Sequence, residues 1–314
     1  MLSRRLIRIK VMQAVFSHDR QEHHDAMAGE TSLKQSMSDL YTLYIYMMQL
    51  LVDIRKEAAN SIEVQRNKKL ATSEELNPNL KFVNNRVLLA LENNLVLSET
   101  IKKNKLKPWV LDTEYPQLLT GAIREHEVYK QYMSNGLDSV KDDKKFLAAL
   151  YREVIATNDQ LYDYLEDHTI SWTDDFPVIN SAIIQGIQQF KPDRAEALVM
   201  RSLVRDQEDI DFGVKLYRKT LELREDHIEL IKTKTPRWDE NRLNPMDATL
   251  IRLALTEFTE FSEIPVKVSL NEYLEISKEY STPKSSTFIN GVLDSLQRDL
   301  IRNGTINKTG KGLM

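Results

Sequence analysis

The last part of the chain constrains the fold most, because residues 244–300 encode three amphipathic helices with marked boundaries. The first begins NPMDATLIRLALTEF. Asn244 is a favoured helix cap, and Pro245 suits the first helical position. Apolar residues then recur at intervals of three and four, as on the buried face of a helix. The breaks at Pro265 and Pro283 separate two further helical patterns. This segment therefore predicts three packed helices.

Several polar residues in this segment invite a chemical interpretation, and each also has a structural one. Glu257 falls in the apolar stripe of the first helix, where burial without a partner would be costly. We expect it to form an ion pair or to bond a helix end, since no second group nearby supports general acid catalysis. Ser269 and Glu272 have the spacing of a capping box, which predicts a helix start there.

The third helix of the segment carries a glycine and an aromatic residue that need explaining. Gly291 follows Asn290 within a helical pattern and costs about 1 kcal/mol relative to alanine, so we expect close helix packing to compensate. Phe288 and Lys284 lie one turn apart near the helix start. Phe288 is either the first core residue of the helix or, with Lys284, a site that stacks on a base and meets a phosphate.

Composition favours an all-α protein and excludes several kinds of site. Only 9 glycines and 9 prolines occur in 314 residues, whereas strand-and-turn proteins need more of them at turns. Cysteine is absent, which excludes disulfides, thiolate metal sites and a cysteine nucleophile and fits a cytoplasmic protein. The formal net charge of −4 means that any nucleic-acid site must be a local basic patch.

The N-terminal residues 3–17, SRRLIRIKVMQAVFS, predict a helix that is apolar around most of its circumference and basic at one end. Arg4 and Arg8 share a face, with Arg5 beside them. They form either a solvated face or a phosphate-binding patch. No small-residue cleavage site follows, so we do not expect a signal peptide. The segment HDRQEHHD after this helix matches no metal-binding spacing, so we expect a polar linker through Gly29 and no metal or other cofactor.

Between these segments the chain also looks helical. A stripe of tyrosine, methionine and leucine from Ser32 onward predicts a buried helix face, and Asn77-Pro78 predicts another helix start. The longest apolar run, near residues 43–52, is too short for a membrane span. Four lysines lie close together in the sequence IKKNKLKPW and suit either a helix C-terminus or an accessory nucleic-acid contact: Lys102, Lys103, Lys105 and Lys107.

Residues 146–172 align with 212–238 at one fixed offset, which pairs Trp172 with Trp238. We consider a diverged internal duplication, the alternative being chance likeness between two amphipathic helices.

The segments LIRLALTEF, EIPVKVSLNEYLEISKEY and FINGVLD resemble the C-terminal half of the NusB family of transcription antitermination proteins. The helix RRLIRIKVMQAVFS resembles the family's N-terminal helix. The resemblance implies an all-α, NusB-like bundle of two subdomains and no catalysis. It also implies binding of the boxA-type RNA of ribosomal RNA transcripts together with the ribosomal protein NusE, within a transcription elongation complex. By the same resemblance, Arg4, Arg5 and Arg8 match the RNA-contacting helix, and Phe288 matches an aromatic near the RNA surface.

The chain departs from that family by its length, as in the long forms of Bacteroidetes type. We expect an N-terminal basic helix in residues 1–20, a helical insertion or duplicated region in 31–205, a C-terminal helical subdomain in 206–302 and a flexible tail in 303–314. Thr287 stands where the family commonly has lysine. The insertion can cover, extend or replace the RNA surface.

Two other functions remain open. One is a non-enzymatic protein–protein adaptor that has lost RNA binding. The other is the accessory domain of an RNA cytosine methyltransferase, which the lack of a cysteine nucleophile and of a glycine-rich loop argues against. We expect no membrane association.

Overall fold

The computed structural model describes residues 4–21, 25–169, 171–202, 207–235 and 243–309, and every regular element among them is a helix. The prediction of an all-α protein is therefore confirmed. The α-helices are, in chain order, α1 (Arg4–Arg20), α2 (Ala26–Arg66), α3 (Ser73–Leu76), α4 (Arg86–Glu92), α5 (Leu95–Lys103), α6 (Glu114–Glu125), α7 (Glu127–Ser134), α8 (Val140–Leu150), α9 (Asp159–His168), α10 (Trp172–Gln189), α11 (Gln207–Glu222), α12 (Arg224–Lys234), α13 (Pro245–Glu260), α14 (Val266–Tyr280) and α15 (Ser285–Arg302). A π-helical turn covers Tyr151–Ile155, and a 3-10 helix covers Pro192–Leu198.

The chain forms two compact units. Unit 1 consists of Met1–Met37 and Val204–Met314, and unit 2 consists of Ser38–Leu203. The long helix α2 contributes its first residues to unit 1 and the rest to unit 2. Within unit 1, α1 packs against α11, α13 and α14, while α13, α14 and α15 pack on one another.

Helix α1 lies in the core of unit 1, as its apolar circumference predicts. Its apolar side chains are nearly inaccessible to solvent, and burying one fully is worth about 1.5–3 kcal/mol. They are Leu6, Ile7, Ile9, Val11, Met12 and Val15. The consequence is that the polar residues of α1 must either find partners inside the unit or lie at its ends.

Unit 2 is organised around α2 and a group of aromatic rings. The stripe predicted along α2 is buried, including Tyr44, Met47 and Met48. The indole N–H of Trp109 donates to the carbonyl of Tyr46 at 2.8 Å, and the ring of Tyr46 also contacts Trp172, with 5.3 Å between ring centroids. These contacts hold the loop around Trp109 and the start of α10 against the long helix.

Two predicted boundaries were wrong. Helix α2 begins at Ala26, before Ser32, and Gly29 lies within it. A Cβ at Gly29 would overlap the hydroxyl of Tyr217, so this glycine permits close packing of α2 on α11. Asn77 ends α3 and starts no helix: its backbone N–H donates to the carbonyl of Ser73.

Some predictions fall on residues outside the described ranges. His23 and His24 of the histidine-rich segment are among them. So is Trp238, on which the predicted internal duplication partly depends, and the duplication stays a prediction.

Candidate nucleic-acid interface

The N-terminal end of α1 presents two half-exposed arginines. The side chains of Arg4 and Arg5 are 48% and 40% exposed. Arg4 lies 3.5 Å from a carboxylate oxygen of Asp209 in α11, and Arg5 makes two hydrogen bonds of 2.9 and 3.0 Å to Glu272 in α14. The hydrogen bond with Glu272 is the main cause that raises the pKa of Arg5 above its usual value. Each exposed arginine therefore already has a carboxylate beside it.

Arg8, one turn further along α1, is buried. Its side chain is 3% exposed and makes two hydrogen bonds to the carboxylate of Glu257 in α13, at 2.6 and 2.8 Å. Burial alone would lower the pKa of Arg8, but the hydrogen bonds and charge of Glu257 outweigh it and the pKa is raised. This position does not fit the direct phosphate contact that the resemblance implies for Arg8, because its fork of donors is already bonded inside the unit.

The carboxylate of Glu257 accepts hydrogen bonds from three side chains on two helices. Besides Arg8, Ser269 donates to it at 2.5 Å and Tyr273 at 3.0 Å. The predicted ion pair of Glu257 is thus confirmed. The predicted capping box was wrong: α14 begins at Val266, so Ser269 is inside the helix and its hydroxyl is used by Glu257. The buried pair joins α1, α13 and α14 at one point.

Lys284 and Phe288 lie at the start of α15, as predicted. Lys284 is the N-terminal cap residue and is exposed, and its carbonyl accepts the backbone N–H of Phe288 at 3.3 Å. Phe288 is of intermediate exposure, whereas the next residue, Ile289, is fully buried. Phe288 is therefore only partly buried at the start of this helix.

The structure links the two groups of predicted site residues through α14. Arg5 bonds Glu272 in α14, and α14 packs on α15, which carries Lys284 and Phe288. Burial of the Arg8 pair fixes the rotation of α1, and Arg4 and Arg5 remain half exposed at its N-terminal end.

Gly291 does not have the role predicted for it. It is exposed on α15, and a Cβ built there would meet no atom within 4 Å. Close packing therefore does not explain this glycine.

The sequence reasoning missed the partner of each arginine. Arg8 and Glu257 are opposite charges that each interrupt an apolar pattern, and that shared property is the signal from which the pair could be inferred. Glu272 gave no such signal, because it lies on a partly exposed helix face.

Residues 303–309, in the segment predicted as a flexible tail, bond to the end of α13. The ammonium of Lys308 donates to the carbonyls of Glu257 and Phe261 at 3.1 and 2.8 Å. Burial lowers the pKa of Lys308 to about 8. The lysine thus occupies carbonyls that a helix C-terminus otherwise leaves unbonded.

No cluster of three or more potential metal ligands occurs within the described ranges. None of the described helices has both the length and the apolarity needed to cross a membrane.

Comparison with known proteins gives one consistent family. The sequence model of the NusB family matches residues 184–298. Transcription antitermination protein NusB of Salinibacter ruber is 44% identical over 118 residues, which is 38% of this chain and 74% of that protein. The NusB proteins of Chloroherpeton thalassium and Clostridium kluyveri are 34% and 39% identical, over 38% and 29% of this chain. The chain spans only 57% and 58% of their lengths.

No solved structure matches the chain. The match to the family model does not extend to α1, so the arginines of that helix rest on the resemblance and on their geometry. The matched residues include α11, α13 and α14 in full, where the carboxylates that hold those arginines lie. Because the chain covers 74% of a relative to which it is 44% identical, the protein belongs to the NusB family of transcription antitermination proteins.

Proposed function

We propose that the protein is a non-catalytic RNA-binding antitermination factor that binds boxA-type RNA of ribosomal RNA transcripts. Ribosomal protein NusE would be its protein partner, in the transcription elongation complex. The observation that supports this proposal best is that the arginines of α1 differ in their exposure and their partners. Arg8 fixes the helix through Glu257, while Arg4 and Arg5 remain half exposed at its end.

Binding in this proposal is positional and needs no proton transfer. Arg4, Arg5 and Lys284 meet phosphates, and Phe288 stacks on an unpaired base, because RNA is read mostly through splayed bases and backbone contacts. Phosphate would replace Glu272 as the partner of Arg5, an exchange that is feasible since this ion pair is partly exposed and worth only about 0–1 kcal/mol.

A filter-binding titration with boxA RNA tests the proposal. The variant R4Q/R5Q removes two phosphate contacts. It should lower the affinity for boxA RNA at least about ten-fold and reduce the slope of log affinity against log salt concentration by about 1.4. The matched control is R218Q/R298Q, which removes two exposed arginines of the same unit that also pair with carboxylates. Equal affinities for the two variants would contradict the proposal, as would binding that does not respond to salt. NusE should raise the affinity of the parent protein.

One observation favours an alternative, a protein–protein adaptor without RNA binding. Arg4, Arg5 and Arg8 each have a carboxylate neighbour, which weakens the positive potential at this end of α1. The adaptor predicts that the protein captures NusE but leaves boxA RNA unbound at low salt. Measuring the capture of NusE in the absence of RNA, beside the filter-binding titration with boxA RNA, distinguishes the two functions.

A further inference from the structure

Unit 2 carries a compact group of lysines that the proposed interface does not use. They lie at the end of α5 and just beyond it, within six residues, and all are exposed: Lys102, Lys103, Lys105 and Lys107. In the described part of the chain, none of their ammonium groups makes an ion pair or a hydrogen bond to a side chain. We call them the lysine patch.

The backbone under the lysine patch is a fixed turn. The N–H of Lys105 bonds the carbonyl of Lys102, and the N–H of Leu106 bonds that of Ile101, which is the Schellman arrangement of a helix end. Lys105 has a φ of 52°, in the left-handed region where glycine is the usual residue. A lysine kept in this strained position supplies a cation where a glycine would serve the turn better.

The end of the turn is anchored in the core of unit 2. Trp109, also at positive φ, is 2% exposed and donates its indole N–H to the carbonyl of Tyr46. The lysines are therefore displayed on a rigid frame, and only their side chains need to order when an anion binds.

The helix dipole accounts for only part of the lysine patch. Carbonyls at the end of α5 favour cations in its last turn, which covers Lys102 and Lys103. Lys105 and Lys107 lie beyond the helix, where the dipole effect fades and their charges repel those of their neighbours. The unit around them is acidic on balance, with 24 acidic and 20 basic side chains in residues 38–203. The patch is thus a local exception that a polyanion would neutralise.

We propose that the lysine patch binds the phosphate backbone of RNA that flanks the boxA element held by unit 1. This inference rests on the proposed function, by which a ribosomal RNA transcript is bound to the same chain. Lysines act here as point charges without a surrounding pocket, so the contact is independent of sequence. Exposed Val110 and Leu111 stand beside the patch, but two apolar side chains fall well short of the area of a stable protein interface.

The experiment compares two lysine variants of the full chain by filter binding. The patch variant is K102Q/K103Q/K105Q/K107Q. The control is K56Q/K69Q/K145Q/K191Q, which removes the same charge from dispersed lysines of unit 2. Three RNAs are used: boxA alone, boxA extended by uridines, and uridines alone.

With extended boxA, the patch variant should bind at least about ten-fold more weakly than the control, and its salt slope should fall by about 3, since each phosphate contact contributes about 0.7. With boxA alone, the two variants should bind equally. With uridines alone, only the parent and the control should bind at low salt. Equal binding of both variants to extended boxA and to uridines overturns the inference.

The outcomes keep the two proposals separate. If the parent ignores boxA but binds uridines through the patch, the proposed function and the flanking role fail, and the sequence-independent RNA binding of the lysine patch stands. If the parent binds boxA and the patch variant matches the control on every RNA, the patch inference fails alone. Patch-dependent binding to phosphatidylglycerol vesicles, with none to RNA, would overturn the inference by assigning the lysines to a membrane surface.

Discussion

At the residue scale, the buried pair of Arg8 and Glu257 shows what sequence can and cannot predict. That Glu257 needs a partner follows from its place in an apolar stripe, because an unpaired buried charge is costly. That the partner is Arg8, 249 residues earlier, follows only from the packing of α1 on α13. The resemblance instead led to an RNA contact for Arg8, because a family pattern marks a basic position without saying which way its side chain points.

Replacing Arg8 alone should destabilise the protein strongly. The variant R8M leaves Glu257 buried without its cation, and breaking such a pair costs about 3–5 kcal/mol. In R8M/E257Q most of this loss should be recovered, since the glutamine is neutral, its amide oxygen still accepts from one of the hydroxyls of Ser269 and Tyr273, and its amide N–H can donate to the other. Urea unfolding followed by circular dichroism measures both. The control R218M, at an exposed pair, should cost no more than about 1 kcal/mol.

The carboxylate of Glu272 should limit RNA affinity. The variant E272Q frees Arg5 from its partner and removes a charge that repels phosphate, so the affinity for boxA RNA should rise about two- to five-fold. The control E30Q frees the exposed Arg218 in the same way and should leave the affinity unchanged. Unchanged RNA binding in E272Q would argue that Arg5 makes no phosphate contact.

At the scale of elements, the dipeptide Asn-Pro begins a helix at one place in the chain and does not begin one at another. Asn244-Pro245 starts α13, and the Asn244 side chain accepts the N–H of Met246. Asn77-Pro78 ends a short helix, and the next helix is capped by Asn85. The residues after each proline make the difference: a long apolar stripe packs α13 into unit 1, whereas residues 78–85 are short of such a stripe. A capping residue allows a helix to begin, but burial of the helix in the tertiary structure determines where it begins.

Two glycines in helices should respond oppositely to alanine. G291A should stabilise the protein by up to about 1 kcal/mol, because the helix gains propensity and the new methyl group meets nothing. G213A should destabilise it, since a Cβ there would lie 2.6 Å from Met37 and 2.9 Å from Ile7. Thermal melts of the two variants measure this. A lower melting temperature for G291A would show that the glycine has another structural role.

At the scale of the whole molecule, composition predicts the fold class but not the division into units. A low glycine and proline content indicates helices anywhere in the chain. It cannot reveal that Met1–Met37 joins Val204–Met314 in one unit, because that depends on contacts between distant segments. Charge is also divided unevenly: unit 2 carries the whole net charge of −4, so unit 1 is formally neutral. RNA approaching unit 1 therefore meets no net repulsion from it.

Unit 1 should lose stability in mild acid through His227. This side chain is 3% exposed, and burial, assisted by Arg252, lowers its pKa to about 4. Between pH 6.5 and pH 4 the unfolded chain binds a proton that the folded chain does not, so stability falls as the pH falls through this window. The loss should reach about 3 kcal/mol. Well above pH 6.5 both states are neutral at this residue, and the contribution is constant.

The variant H227Q isolates this effect in urea unfolding at several pH values. Its stability should decline less than that of the parent between pH 6.5 and pH 4. Glu30, whose pKa is lowered to about 2 mainly by its hydrogen bond with Arg218, also loses its stabilising contribution as the pH falls below about 4.5, but it does so equally in parent and variant and leaves their difference unchanged. Parallel pH profiles for parent and variant would mean that His227 becomes protonated without unfolding.

The tryptophans that pack around Tyr46 also provide a fluorescence signal from unit 2. Trp109 and Trp172 are both buried in unit 2, and the ring of Trp172 stacks on His168 with 4.7 Å between centroids. The third tryptophan, Trp238, belongs to the sequence of unit 1. In a W238F variant, tryptophan emission therefore reports on unit 2 alone. A probe of one half of the molecule is thus already built into the chain, without any added label.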